Sequence, residues 1–138
     1  MLFTRPVRSR RKGRRGATAV EFALTAPIFF LFLLAAFEFG WLNVIRHTAD
    51  NAAYEAARTA MVPGATADEA RTKANRLLRI VGARGANVTV TPDPVTAQTE
   101  QVTVAIEIPM KRNGLIVPRF TKNTEINASS TLRTERAE

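Results

Sequence analysis

Glu21 is a lone carboxylate at the head of an apolar stretch. From Phe22 to Phe37 no residue is charged, and a run of arginines stops just before it, at Gly16. An ionised side chain in hydrocarbon costs roughly a few kcal/mol near a bilayer centre and less toward its edge. The chemistry open to Glu21 is therefore electrostatic, and it has to meet a cation or reach water. Residues suited to other chemistry are scarce. The absence of cysteine excludes a disulfide framework, a thiolate metal site and a cysteine nucleophile. His47 is the single histidine, and it reads as an exposed helix residue rather than a ligand or base. There is no Gly-rich phosphate loop, metal-spaced cluster or nucleophile motif. No enzyme, cofactor, metal or small-molecule substrate is expected.

The element that must carry Glu21 is a membrane helix. As a helix, residues 17–41 would span roughly 37 Å at about 1.5 Å per residue, against a hydrocarbon core of about 30 Å. The segment "IFFLFLLAAF" is apolar all round, which suits lipid better than the core of so short a chain. Phe29, Phe30, Phe32, Phe37 and Phe39 read as lipid-facing or helix-packing residues. Trp41 suits the far interface and Glu38 reads as solvated there. Of the 20 Lys and Arg residues, seven (Arg5, Arg8, Arg10, Arg11, Lys12, Arg14 and Arg15) precede Gly16, leaving 13 basic against 12 acidic groups in the remainder. Positive charge on the N-terminal flank places that end in the cytoplasm and the residues after the span outside. The nearly neutral body lacks the basic face that a folded nucleic-acid-binding domain needs.

Together "RRG" and "ATAVEFAL" resemble a type IV pilin-like leader, and more specifically the TadE-like minor pilins, or pseudopilins, of tight-adherence systems. The residues that carry the resemblance are Arg14, Gly16, Val20, Glu21, Phe22, Ala23, Leu24 and Pro27. The Ala-rich "NAAYEAARTA" is a weaker feature of the same kind. The resemblance implies a bacterial precursor inserted in the inner membrane and cut after Gly16 by a prepilin peptidase, with Arg14, Arg15, Gly16 and Ala17 as the processing site. Ala17 would then be the first residue of the mature chain and Glu21 the fifth. Cleavage would create an α-amino group, cationic at neutral pH, to pair with Glu21 of a staggered neighbour. Glu21, Phe22 and Pro27 are the expected assembly residues, and other pilin subunits and the pilus machinery the expected partners. Pro27 removes a helix donor and favours a kink, and the helix is expected to loosen there when subunits pack.

Past the span the helix is expected to continue, with Ala49, Ala52, Ala53, Ala56, Ala57 and Ala60 along one close-packing face. Pro63-Gly64 stops it. Thr66 and Glu69 read as a capping box for a second helix ending at Gly82, with Ala70, Ala74, Leu77, Leu78 and Val81 as its apolar stripe. Beyond Gly85 the period becomes two. "NVTVT" and "QVTVAIEI" read as strands separated by a loop at Pro92 and Pro94, with Val102, Val104, Ile106 and Ile108 on one face. Asn113-Gly114 reads as a turn, and a last strand runs through Ile126, Ala128 and Leu132. The sequons at Asn87 and Asn127 fall in strand-like stretches and read as chance matches. The expected fold class is α+β, with a long transmembrane helix, a second helix and about three antiparallel strands. The expected parts are a basic cytoplasmic leader (1–16), a transmembrane helix (17–45) and an extracytoplasmic domain (46–138).

Two other readings stay open. One is an uncut single-pass anchor whose outer domain binds an envelope partner. The other is a small secreted binding domain behind a signal peptide, although bulky Phe37 and acidic Glu38 make "LLAAFEFG" a poor cleavage site.

Overall fold

A computed structural model describes residues 13–115 and 123–133, with side chains described from Gly16 onward. The chain is α+β: helix α1 (Gly13–Ala60), helix α2 (Ala67–Ile80), and strands β1 (Asn87–Thr91), β2 (Gln101–Pro109) and β3 (Glu125–Arg133). The described residues up to Ala35 form one unit, and Ala36–Glu138 contains the other, a folded head.

The first unit is an apolar helix with its hydrophobic side chains in the open. Val20, Phe22, Leu24, Phe29 and Phe32 are each more than 60 % exposed. Such a surface is stable only against lipid or other apolar helices. One helix of the described residues, Gly16–Ala60, is long and apolar enough to cross a membrane. The helix is assigned without a break through Pro27.

In the head, the small-residue face of α1 becomes part of the core. Ala49, Ala52, Ala53, Ala56, Ala57 and Ala60 are all buried and form one apolar cluster with the inner residues of α2 and the sheet. Alanine at these positions lets neighbouring elements approach closely without an empty groove between them. A larger side chain has no room. Ala56→Leu is expected to overpack the head by about 1–3 kcal/mol, seen as a lower unfolding midpoint of the full chain in detergent.

The second helix starts and stops by local chemistry. The Thr66 hydroxyl accepts from the Glu69 backbone N–H at 3.2 Å, and the Glu69 carboxylate accepts from the Thr66 N–H at 3.2 Å. This reciprocal cap satisfies two of the free donors at the helix start. At the other end, Gly82 takes φ +67°. The Gly82 N–H reaches the Arg79 carbonyl and the Ala83 N–H reaches that of Leu78, closing the helix in a left-handed cap that favours glycine. Ala70, Ala74 and Leu78 are buried, while Leu77 and Val81 are half-buried at the edge of the stripe.

The sheet has the order β1-β2-β3 and is antiparallel throughout. Val104 is paired with Val90 on one side and Ser130 on the other, and Ile106 with Val88 and Ala128. Val102, Val104, Ile106 and Ile108 are fully buried on the inner face, as the alternation requires. Ile126 and Ala128 of β3 are also buried, and Leu132 is half-buried.

Candidate processing and assembly site

Gly16, Ala17, Glu21, Phe22 and Pro27 all lie on α1, and all are exposed. The backbone of Arg14 and Arg15 belongs to the first turn of α1, and their side chains lie outside the described residues. A side chain at Gly16 would meet nothing within 4 Å, so the fold places no steric demand for glycine there. Ala17 and Glu21 are four positions apart, about one helical turn. Among the described residues the Glu21 carboxylate has no hydrogen bond or ion pair. The Glu21 carbonyl is occupied, accepting the Thr25 hydroxyl at 2.9 Å.

Around Glu21 the surface is aromatic. Phe29 and Phe30 meet edge to face with centroids 5.7 Å apart. Together with Phe22, Thr25 and Ala26 they line a shallow apolar depression on the helix surface. The arrangement is an unpartnered carboxylate beside a ridged apolar surface. It can accept a cation and pack against an apolar helix.

A second polar group, in the head, departs from the expected interfacial role. Glu38 is 4 % exposed rather than solvated. Its two carboxylate oxygens accept the Leu115 backbone N–H at 3.3 and 3.1 Å. One turn on, the Trp41 indole N–H donates to the Asn113 carbonyl at 2.8 Å, and Trp41 is half-buried. Asn113 is itself buried. Its side chain accepts the Arg84 N–H at 2.7 Å and donates to the carbonyls of Arg84 and Pro109. Two helix residues thus fasten the segment after β2 to α1, and the amide of Asn113 fastens it to the segment before β1.

The signal for Glu38 was present in the periodicity. It lies seven residues before Ile45, which lies seven before Ala52, on the stripe that becomes the core. A carboxylate on a buried stripe requires a donor, and Leu115 supplies one. Glu38→Ala would leave that N–H without its acceptor. The expected cost is about 1–3 kcal/mol of head stability, read as a lower thermal midpoint in detergent.

Among the described residues no group of three or more His, Cys, Asp or Glu could hold a metal ion. Neither the comparison with curated proteins nor that with solved structures finds a match. A family model described as TadE-like protein matches residues 16–58. That segment holds Glu21, Phe22 and Pro27 and runs on through most of the small-residue face of α1. Over residues 16–58, then, the chain is similar to TadE-like proteins.

Proposed function

We propose that the chain is a TadE-like pseudopilin that acts by assembly rather than catalysis. In this reading it inserts with its N-terminus in the cytoplasm, spans the inner membrane once, and presents the head outside. A prepilin peptidase cuts after Gly16, and the apolar part of α1 then packs into a pilus or a pilus-biogenesis complex for adherence or secretion. The single observation that carries the reading is Glu21, an exposed carboxylate with no partner among the described residues, on an apolar helix five positions after Gly16 and inside the segment that the TadE-like family model matches.

Cleavage gives that carboxylate a partner. The amine released on Ala17 is cationic at neutral pH. Two opposite charges attract far more strongly in a low-dielectric setting than in water. Pairing across neighbouring subunits satisfies both charges and fixes the axial stagger, because a shifted helix would strand them in hydrocarbon. The exposed Phe22, Phe29 and Phe30 supply the apolar contact around the pair.

Inactivating the leader-cutting peptidase in the native host tests this. The chain is expected to persist in the membrane at its precursor mass and to be missing from the isolated pilus or pilus-biogenesis complex. Normal recovery of precursor in that complex would refute the proposal.

A further inference from the structure

Three cations of the head, Arg84, Lys111 and Arg112, lie in segments bonded directly or through Asn113 to Glu38 and Trp41 of the same unit. Phe37 and Phe39 close the apolar run of α1 and are 56 % and 58 % exposed. Glu38 and Trp41, between and just beyond them, are bonded to Leu115 and Asn113. Asn113 is bonded in turn to the backbone of Arg84. Arg112 lies over Gly85, its Cδ and Nη1 3.3 Å from where a Cβ on that glycine would sit. Lys111 and Arg112 belong to the 3-10 turn Met110–Arg112 that directly precedes Asn113.

Arg84, Lys111 and Arg112 therefore share one end of the head. All three are exposed, and among the described residues none of them forms an ion pair. Arg71 offers a contrast, being bridged to both Asp68 and Asp93. Glu107 and Glu125, on β2 and β3, are the acids of the adjoining sheet rows, and Glu107 is held by the Asn87 amide. Beside the cations, Leu115 stands 52 % exposed.

We propose that this end of the head is a membrane-surface contact that takes the phosphate groups of anionic phospholipids, with Leu115 entering the interface. The proposal rests on the reading of α1 as a membrane span. Basic side chains within a Debye length of an anionic bilayer are drawn to it. Long basic side chains can lay their stems along apolar surface and keep the charge at phosphate level. An exposed leucine flanked by cations that form no ion pair among the described residues suits that boundary.

The chain has no cysteine, so single labels are unambiguous. A nitroxide on Leu115→Cys would be read in the full-length chain reconstituted in nanodiscs of phosphatidylcholine, with or without phosphatidylglycerol. With phosphatidylglycerol, access of a water-soluble nickel chelate to the label should fall by about threefold or more. The protection should disappear in ~0.5 M salt and in the Arg84→Gln/Lys111→Gln/Arg112→Gln variant. Equal access in the two lipids would overturn the proposal. So would protection that survives in the triple variant and in pure phosphatidylcholine, which would mean that another protein copy covers this end. A label on Leu31→Cys separates the two readings. It should be lipid-immersed in either disc. Immersion there with an unprotected Leu115 label sinks the lipid contact alone, whereas a water-accessible Leu31 label sinks the span as well.

Discussion

Glu21→Ala is expected to leave the chain cut after Gly16 but to lower its incorporation into the assembled complex by on the order of tenfold to a hundredfold. Removing a carboxylate from an apolar segment makes insertion easier, by up to about 2.5–3.5 kcal/mol if the site were at the bilayer centre and by less near its edge. A shortfall in assembly could not then be blamed on failed insertion. Folding of the head offers no alternative cause, because Glu21 is exposed and belongs to the unit that ends at Ala35. In the proposed assembly, the variant removes the counter-charge of the Ala17 amine, which would be left alone in low dielectric. Glu21→Asp keeps the charge on a shorter stem and should recover part of the incorporation. The check is the ratio of variant in the purified complex to variant in the membrane. An unchanged ratio would mean that Glu21 simply rests among lipid headgroups.

Gly16→Phe is expected to abolish processing while leaving membrane insertion intact. A Cβ at Gly16 would touch nothing within 4 Å, and within a helix glycine is destabilising by roughly 0.5–1 kcal/mol relative to alanine. The fold therefore gains nothing from glycine at this position. Under the proposed processing, the demand for it comes from a peptidase cleft that accepts the backbone only where no side chain intrudes. The measurement is the mass of the membrane-extracted chain in cells with active peptidase. It should be uniformly that of the precursor, with alkaline extraction still leaving the chain in the membrane fraction. A mature-length product from Gly16→Phe would remove the requirement.

These two outcomes concern features that the sequence displays openly, since Gly16, Ala17 and Glu21 are local and their spacing can be counted. The same holds for the alanine face of α1, the Thr66–Glu69 cap and the alternation of β2. Each is set by a helical or strand period, or by residues three apart, and each appears as expected. The periodicity puts Glu38 on the buried stripe, but the bonding partners of Glu38 and Trp41 were not legible in that way. These lie 77 and 72 positions away, and no local period reports a bond across such a distance. Interfacial solvation was the natural expectation for a Glu at the end of an apolar run, and Glu38 is buried instead. The structure uses Glu38 and Trp41 to hold the segment after β2. α1 continues through Pro27. A proline inside a membrane helix is tolerated where local adjustment satisfies the freed carbonyl.

The account rests on a carboxylate whose partner is created by cutting the chain. N-terminal sequencing of the protein extracted from the membranes of its native host tests that most directly. The account predicts a chain that begins Ala17-Thr18-Ala19-Val20-Glu21. A chain that still begins at Met1, or one that begins beyond Phe37, would contradict it.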